Sequence, residues 1–412
     1  MQILYNFGIW SLSVLVKIAG LFNGKAKQFV SGRKGLLRNL QRVYSQESHP
    51  VIWMHCASLG EFEQGRPVLE ALRKHYPDHK LLLTFFSPSG YEVRKNYNGV
   101  DHVCYIPWDT RRNARAFVET VKPVMAIFVK YEFWYHLSHA LHNAKVPLIS
   151  VSSIFRPDQI FFKSYGGWYR EVLKNFSWFF VQNEKSVGLL KGIGISNCTL
   201  AGDTRFDRVF EIVQKREPIP AADRFKAGQK LMVVGSCWQE DLDVLAPLIN
   251  EQRLKFIIAP HEVSPSSVHA IEKALTVKSV RFSAVTNQNA DEYDVLIIDN
   301  VGMLSKLYQY GEFAYVGGAF GKGLHNILEA ACYGIPVFFG NQAFAKFQEA
   351  VDLINLGGAF EVADYPDLKK KYEMLNVPEN FMLACEVTRR YVEDNLGATE
   401  KIMKYCRTIL NI

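Results

Sequence analysis

The feature that most constrains this chain is a series of short apolar runs, rich in β-branched and aromatic residues, that alternate with amphipathic stretches. Six runs fall in the first half: VIWMHC (51–56), KLLLTFF (80–86), HVCYIP (102–107), VMAIFV (124–129), VPLISVSS (146–153) and WFFVQN (178–183). Continuous apolar strands separated by helices predict a parallel sheet covered on both faces. The first half is therefore predicted to be a doubly wound α/β domain.

A second series of the same kind begins near residue 230. Its runs are LMVVGS (231–236), KFIIAP (255–260), DVLIID (294–299), FAYVGG (313–318) and IPVFFG (335–340). We predict a first domain at 47–205, a polar linker at 206–229 and a second domain at 230–380. We also predict C-terminal helices at 381–412, for which packing back on the first domain is one possible arrangement. Two doubly wound domains predict a ligand cleft at the C-terminal ends of the strands.

The positive charge of the chain is concentrated in its first 46 residues. The net charge is +7, and this segment holds no acid but seven basic residues: Lys17, Lys25, Lys27, Arg33, Lys34, Arg38 and Arg42. The rest of the chain is balanced, which argues against a nucleic-acid partner, because such proteins usually spread basic residues over the body. A basic arm beside an apolar stretch suits an anionic membrane surface instead.

Residues 3–22, ILYNFGIWSLSVLVKIAGLF, form that apolar stretch. Its length is close to the ~20 residues that span a bilayer, but Asn6 and Lys17 interrupt it. We predict a membrane anchor and basic arm at 1–46 with the body on the cytoplasmic side. A full span and an interfacial helix both remain open, and a buried helix of the first domain is the alternative. No cleavage site typical of a signal peptide follows.

The cysteines and acids do not indicate a metal site. The seven cysteines form no CxxC pair, which predicts reduced thiols rather than a disulfide scaffold or a zinc module. Asp241-Leu242-Asp243 imitates the DxD motif of metal-dependent sugar transfer, but it lies at a predicted helix start, where we interpret it as a cap.

Three polar positions in the first half are candidates for chemistry. Glu61 ends the loop His55-Cys56-Ala57-Ser58-Leu59-Gly60-Glu61 between a strand and a helix, where it is either a base or only a complement to the helix dipole. Glu132 follows the strand at 124–129 and is either a site residue or a surface acid. Arg205 suits a phosphate or carboxylate, with an interdomain salt bridge as the alternative.

The second half carries a glycine-rich loop. Val316-Gly317-Gly318-Ala319-Phe320-Gly321-Lys322-Gly323 leads from a strand to a helix that we predict to start near Asn326. Backbone N–H groups at such a start bind phosphate. Glu329 is spaced for either a capping contact or a ribose hydroxyl. Tight packing alone is the other explanation of the glycines, and His261 after the strand at 255–260 is a further candidate ligand.

Taken together, these segments resemble the 3-deoxy-D-manno-octulosonic acid (Kdo) transferases that glycosylate lipid A precursors. The resemblance runs over nearly the whole chain and rests on the order and spacing of many pieces. They are Gly32-Arg33-Lys34-Gly35, the loop ending in Glu61, Glu132-Phe133-Trp134, Gln182-Asn183-Glu184, Arg205-Phe206-Asp207, Val316-Gly317-Gly318, His325-Asn326-Ile327-Leu328-Glu329-Ala330-Ala331 and Asn395-Leu396-Gly397-Ala398.

The resemblance implies a GT-B fold, with two Rossmann-like domains facing across a cleft. It implies metal-independent transfer without a cofactor, from CMP-Kdo to a lipid A precursor (lipid IVA), at the cytoplasmic leaflet of the inner membrane of a Gram-negative bacterium. Glu61 takes the position of the catalytic base, and Glu132 and Arg205 match positions that stabilise the transition state. The implied CMP contacts are Pro260, His261, Val301, Gly302, Met303, Gly317, Gly318, Asn326, Ile327, Leu328 and Glu329; the implied acceptor contacts are Ser58, Gly60, Arg33 and Lys34.

Some positions depart from the family pattern. Family members commonly have Arg where this chain has His261, and Glu where it has Met303. They commonly have Pro where this chain has Ile327, and a second acid where it has Lys130. His261 would be a weaker, pH-dependent partner for phosphate than Arg. Two rival interpretations remain: a membrane-associated GT-B enzyme with a UDP-sugar donor, and a membrane-tethered, non-catalytic nucleotide-binding module. The sequence fixes neither the number of Kdo residues added nor the oligomeric state.

Overall fold

A computed structural model describes residues 1–251, 254–286 and 289–410. The described chain forms two compact units: Met1–Asp207 together with the segment from Leu396 onward, and Arg208–Asn395. Each unit contains a parallel sheet of seven strands. Residues 411 and 412, the end of the stretch predicted as C-terminal helices, lie outside the described residues.

Strands and helices are numbered along the chain. The strands are β1 Val51–Cys56, β2 Lys80–Phe85, β3 His102–Tyr105, β4 Pro123–Val129, β5 Leu148–Ser153, β6 Trp178–Val181, β7 Cys198–Leu200, β8 Leu231–Cys237, β9 Lys255–Pro260, β10 Ser279–Arg281, β11 Val295–Ile297, β12 Phe313–Val316, β13 Val337–Gly340 and β14 Ala359–Val362. The helices are α1 Gln2–Ala19, α2 Gly24–Ser31, α3 Leu36–Tyr44, α4 Leu59–His75, α5 Pro88–Arg94, α6 Arg111–Val121, α7 Tyr135–Asn143, α8 Gly167–Lys174, α9 Glu184–Gly192, α10 Thr204–Gln214, α11 Pro220–Lys226, α12 Gln239–Asn250, α13 Pro265–Ala274, α14 Leu304–Leu307, α15 Leu328–Ala331, α16 Gln348–Leu356, α17 Tyr365–Leu375, α18 Pro378–Asp394 and α19 Ala398–Leu410.

The first sheet has the strand order β3-β2-β1-β4-β5-β6-β7. Its order reverses between β1 and β4, and ligands of doubly wound sheets bind at such a switch point. All six residues of β1 are buried, with Trp53 in the core on one face and Met54 in the core on the other. The six strands predicted from the sequence are all present. The edge strand β7 was missed because its three residues are only partly covered.

The second sheet has the order β10-β11-β9-β8-β12-β13-β14, with its switch point between β8 and β12. The five predicted strands are present, whereas the short edge strands β10 and β14 were not predicted. The segment 206–229, predicted as a linker, is largely helical. Pro220 occupies the first turn of α11, where proline is tolerated. The polar composition and the prolines of segment 206–229 are therefore compatible with a helix.

The C-terminal part of the chain is shared between the units. Helix α18 belongs to the second unit, whereas α19 lies in the first. Asp207 accepts hydrogen bonds from the backbone N–H groups of Gly397 and Thr399, at 2.7 and 2.6 Å. Ile402 and Cys406 of α19 are buried in the core that contains α4. Asp207 thus satisfies free N–H groups at the start of α19 and fixes its docking.

Only one side of helix α1 packs against the rest of the protein. Tyr5 and Ile9 face the body of the first unit, and the Tyr5 hydroxyl donates to Asp109. The opposite side exposes large apolar side chains: Ile3, Leu4, Phe7, Trp10, Leu15 and Ile18. By length and composition Gln2–Ala19 could cross a bilayer. An exposed apolar surface of this size indicates a membrane or protein contact.

Candidate functional site

Glu61 lies one turn into α4, at the C-terminal end of β1. Ser58 is the N-cap residue, and its backbone N–H donates to Glu61 Oε2 at 3.0 Å, which forms a capping box. The carboxylate therefore does complement the helix start. The carboxylate also has a hydrogen bond with the backbone of Ala57. Burial raises the pKa of Glu61, and the nearby Glu132 carboxylate raises it further. A raised pKa makes the Glu61 carboxylate a better proton acceptor.

Glu132 follows β4 on the other side of the switch point. Its side chain is only 10% exposed, so it is not a surface acid. Glu132 Oε2 accepts hydrogen bonds from His55 Nε2 at 2.9 Å and from Trp134 Nε1 at 2.7 Å. Two fixed donors on one oxygen hold the carboxylate in a single orientation.

His55 was not predicted as a site residue, yet it organises Glu132. One direction of donation fits the side-chain contacts: Trp53 Nε1–H donates to Thr84 Oγ1 at 2.8 Å, and Thr84 Oγ1–H donates to His55 Nδ1 at 2.9 Å. His55 Nε2–H then donates to Glu132. The signal in the sequence was a histidine inside an otherwise apolar strand, but its partner lies 77 positions away.

The backbone between β4 and Glu132 is strained. Lys130 has φ of 67°, in the left-handed region that non-glycine residues rarely adopt. Its N–H still donates to the carbonyl of Val151 at 2.9 Å, which ties the turn to β5. Such strain persists where surrounding contacts fix the backbone, and it is common at functional sites.

Arg205 is paired within its own turn. Its Nε and Nη2 donate to Asp203 Oδ2 at 2.9 and 2.7 Å. Burial of Asp203 would raise the pKa of that carboxyl, but Arg205 outweighs it, and the pKa is lowered. Arg205 thus forms an ion pair with Asp203 within the first unit, and this pair holds the guanidinium at the start of α10.

The four predicted acceptor contacts differ in accessibility. Ser58 and Gly60 lie beside Glu61, and Lys34 is exposed. Arg33 is held by contacts within the protein, and its role in acceptor binding stays a prediction. Its Nε, Nη1 and Nη2 donate to the carbonyls of Ile106, Phe29 and Phe86, and burial lowers its pKa to about 9. The guanidinium lies 3.8 Å from the Phe29 ring centroid, so these contacts favour packing over acceptor binding.

An aromatic stack occupies the switch point of the second sheet. Trp238, directly after β8, stacks on His261 with ring centroids 4.0 Å apart, and His261 lies 4.6 Å from His325. Trp238 Nε1–H donates to His325 Nε2 at 3.1 Å, which leaves the His325 proton on Nδ1. Burial and the nearby His261 lower the pKa of His325 to about 4. His325 is therefore a neutral hydrogen-bond donor near pH 7.

The side chain of Asp241 fixes the glycine-rich loop by accepting hydrogen bonds. Asp241 Oδ2 accepts hydrogen bonds from the N–H groups of Trp238 and Gly318, at 3.0 and 2.9 Å. The interpretation of Asp241 as a cap is confirmed. Gly318 has φ of 95°, and a Cβ on Gly317 would lie 2.3 Å from the Ser236 carbonyl oxygen. The N–H of Gly317 donates to the Gly235 carbonyl, so the N–H groups of Gly317 and Gly318 both have partners within the protein. The glycines permit a tight loop, and contact of Gly317 and Gly318 with CMP stays a prediction.

The predicted helix after this loop starts later than expected. Helix α15 begins at Leu328 and has four residues. Asn326 lies outside it; its Oδ1 accepts from the Leu328 N–H at 3.3 Å, and its Nδ2 donates to Glu329 at 3.1 Å. Asparagine side chains compete with the helix backbone in this way. Ile327 is the N-cap residue and is buried.

The remaining predicted CMP contacts follow neighbouring strands of the second sheet. Pro260 ends β9, and with His261 it lines a cavity of about 290 Å³. Val301, Gly302 and Met303 form the turn before α14, where Val301 is 83% exposed. Because all strands are parallel, these turns lie at the same edge of the sheet. Among the described residues, no group of three His, Cys, Asp or Glu side chains is arranged to hold a metal ion.

Comparison with known proteins shows which proteins this chain resembles. The model of the family "3-Deoxy-D-manno-octulosonic-acid transferase (kdotransferase)" matches residues 31–208. A 3-deoxy-D-manno-octulosonic acid transferase of Aquifex aeolicus is 29% identical over 352 residues, covering 82% of this chain and 91% of the relative. One of Rickettsia bellii is 24% identical over 379 residues, covering 90% and 88%. The first half of this chain is therefore similar to the Kdo transferase family model, and most of its length is similar to these Kdo transferases.

Solved structures agree on the fold of this chain. A UDP-GlcNAc 2-epimerase of Neisseria meningitidis has a TM-score of 0.60 at 16% identity, covering 86% of this chain and 98% of that one. A glycosyltransferase of Rickettsia africae has a TM-score of 0.54 at 12% identity, covering 88% and 99%. The architecture is GT-B, with two Rossmann-like units.

Proposed function

We propose that the chain transfers Kdo from CMP-Kdo to a lipid A precursor (lipid IVA), with Glu61 as the general base. The observation that carries this proposal is the Glu61–Glu132 pair at the switch point of the first sheet. Glu132 is fixed by His55 and Trp134, whereas Glu61 lies at the start of α4 with a raised pKa. A positioned base beside a second, fixed carboxylate suits activation of a hydroxyl nucleophile.

The mechanism is a single displacement. Glu61 removes the proton from a primary hydroxyl of the acceptor sugar, and that oxygen attacks the anomeric carbon of Kdo while the bond to the CMP phosphate breaks. The configuration at that carbon inverts. The proton ends on Glu61 and the electron pair on the departing phosphate. Glu132 stabilises positive charge that develops on the sugar ring, and Arg205 is the candidate partner for negative charge on the phosphate.

The second unit is proposed to hold the donor. His261 has a pKa lowered by burial, and His325 presents a neutral Nδ1–H, so the Trp238–His261–His325 stack offers aromatic faces and uncharged donors. We therefore expect this surface to bind the cytidine and phosphate mainly through hydrogen bonds. The Gly317–Gly318 turn lets the backbone approach the ligand closely.

Donor preference tests this proposal against a UDP-sugar enzyme. We expect CMP to bind the purified full-length protein and UDP to bind much more weakly, as measured by titration calorimetry. Equal or tighter binding of UDP would favour the rival GT-B enzyme. A protein that binds CMP but transfers no sugar to any lipid acceptor would favour the non-catalytic module.

The pH profile should report the coupling between the two carboxylates. Glu61 must be ionised to act as a base, and the charge on Glu132 raises its pKa. Glu132→Gln removes that charge, so the pKa of Glu61 falls and the acid limb of kcat/KM should move to lower pH. The residual activity of the variant across pH measures this shift. Glu63→Gln, on the exposed side of α4, should leave the limb in place; an unchanged limb in Glu132→Gln would contradict the coupling.

Helix α1 is proposed to lie in the cytoplasmic face of the membrane rather than to cross it. Tyr5 and Ile9 pack against the protein, so lipid cannot surround the helix on all sides. Its exposed apolar side, with Trp10 among it, matches an interfacial helix. The basic residues that follow suit anionic headgroups.

Replacing exposed apolar residues of α1 should release the protein from membranes. Phe7→Ser with Trp10→Ser removes two aromatic side chains that are 60% and 61% exposed. Each contributes on the order of 2 kcal/mol of burial in lipid, so vesicle affinity should fall more than about 100-fold. Vesicle flotation measures the loss. The matched control is Met382→Ser with Leu383→Ser, equally exposed on α18; equal losses in both double variants would contradict an anchor at α1.

A further inference from the structure

A second cavity lies in the first unit, beside the start of helix α1. Its volume is about 640 Å³, more than twice that of the cavity at His261. It lies between Gln2 of the anchor helix and the facing sides of α6 and α7. The lining residues are Gln2, Arg111, Arg115, Val118, Glu119, Tyr135, His136, His139, Ala140, Asn143 and Ala144. None of them has a role in the proposed transfer reaction.

The charge in this cavity is carried mainly by Arg111. Arg115 is compensated, because its Nε donates to Glu119 Oε1 at 2.7 Å. His136 donates through Nε2 to Asn6 at 2.6 Å, and burial lowers its pKa, with smaller effects from the neighbouring His139 and Arg111. Arg111 is exposed and makes no ion pair within the described residues. An Arg guanidinium offers up to five N–H donors in a planar fork that fits phosphate oxygens.

The rest of the lining is amphiphilic. Gln2 and Asn143 add amide groups, whereas Val118, Ala140 and the Tyr135 ring add apolar surface. The volume falls in the range of small-molecule sites, about 300–1,000 Å³, and exceeds what a bare phosphate needs. A phosphate with a glycerol backbone attached matches both the donors and the apolar walls.

The position next to α1 indicates where such a group comes from. Gln2 lines the cavity, and Ile3, Leu4 and Phe7, which follow directly, are exposed by 82%, 64% and 60%. A helix that places these side chains among acyl chains brings its own start to the level of the headgroups. The cavity then opens where lipid phosphates are concentrated.

We propose that this cavity binds the phosphate headgroup of an anionic membrane phospholipid, with Arg111 as its principal ligand. The bound lipid would hold the start of α1 and α7 together and fix the first unit at the membrane surface. The proposal concerns a site separate from the donor, and it does not depend on the transfer chemistry.

The test compares Arg111→Gln with Arg112→Gln. Arg112 is the next residue, is also exposed, and does not line the cavity, so it controls for general surface charge. Full-length protein is titrated with phosphatidylcholine vesicles that contain or lack phosphatidylglycerol. We expect Arg111→Gln to lower affinity for the anionic vesicles about tenfold, as for a charge-assisted hydrogen bond, and Arg112→Gln to lower it by less than about fivefold. Native mass spectrometry of protein released from phosphatidylglycerol nanodiscs should show a retained lipid in the unmodified protein and in Arg112→Gln, but not in Arg111→Gln.

Three results would overturn the proposal. Equal losses of affinity in the two variants would mean that the surface charge alone attracts the vesicles. Inorganic phosphate that displaces the retained lipid at micromolar concentration would mean that the site takes a free anion. A higher acceptor KM for Arg111→Gln in detergent without phospholipid, together with undiminished phosphatidylglycerol retention, would mean that the cavity serves the acceptor instead. The retention measurement needs no turnover, so its failure is distinguishable from a failure of the proposed transferase function.

Discussion

Replacing Glu61 by Gln should reduce Kdo transfer by about 10²–10⁴-fold, the usual contribution of a general base. The substitution separates the two roles of this residue. Gln is accepted at the third position of a capping box, so the contact to the Ser58 N–H and the start of α4 should persist. The amide cannot accept the proton of the attacking hydroxyl. Transfer is measured as Kdo-modified lipid formed per unit time.

The control for this experiment is Glu63→Gln, two residues along the same helix. Glu63 pairs with Arg94 at 2.9 Å on a partly exposed surface, so its loss should cost under about 1 kcal/mol of stability and leave transfer intact. CMP affinity should be unchanged in both variants, because the proposed donor contacts lie on the second unit. Full activity in Glu61→Gln would remove Glu61 from the mechanism.

The second large effect is expected at Gly318. In Gly318→Ala, the added Cβ would lie 2.5 Å from the Gly323 carbonyl oxygen, and φ of 95° is unfavourable for alanine. Strain and overpacking together should destabilise the second unit by about 3 kcal/mol. CMP affinity should fall as well, because the loop carries His325 and Asn326. Thermal unfolding followed with and without CMP measures both effects.

Gly321→Ala in the same loop is the matched control. Gly321 has no positive φ, and a Cβ there would meet no atom within 4 Å. Its stability and CMP affinity should stay near those of the unmodified protein. Similar losses in the two variants would show that any side chain in the loop is harmful, and the local geometry at Gly318 would not be the cause.

Much of the fold was predictable because burial leaves a direct pattern. Runs such as VIWMHC and KFIIAP are buried over their full length, so their strands and the parallel class followed from composition. The edge strands β7, β10 and β14 lack that pattern, since each is short and partly exposed. Helices α10 and α11 were missed because polar residues and Pro220 are compatible with a helix start as well as with a linker.

The candidate site was predictable only in part. Glu61 was found because a loop of small residues before a helix is a local feature. Its capping contact to Ser58 is equally local, and this contact is compatible with the proposed role as a base. The burial of Glu132 depends on His55, and the pairing of His261 with Trp238 and His325 depends on three separate strands. Such contacts across a sheet leave no spacing rule in the sequence.

The surroundings of Arg33 were not predictable from the sequence. The family resemblance implied an acceptor contact, and the folded chain surrounds the guanidinium with carbonyl oxygens and aromatic rings. Net charge along the sequence does not reveal which guanidinium groups are buried on folding. The helix predicted near Asn326 begins two residues later, at Leu328, and the Asn326 side chain accepts from the Leu328 N–H.

The central claim is that this chain transfers Kdo from CMP-Kdo to a lipid A precursor. The most direct measurement incubates purified full-length protein with CMP-Kdo and a tetraacylated lipid A precursor, in the presence of a chelator, and determines the mass of the lipid. The account predicts one or more Kdo increments, formed without added metal, whose number shows how many residues are added. A folded, CMP-binding protein that leaves the lipid mass unchanged would contradict it.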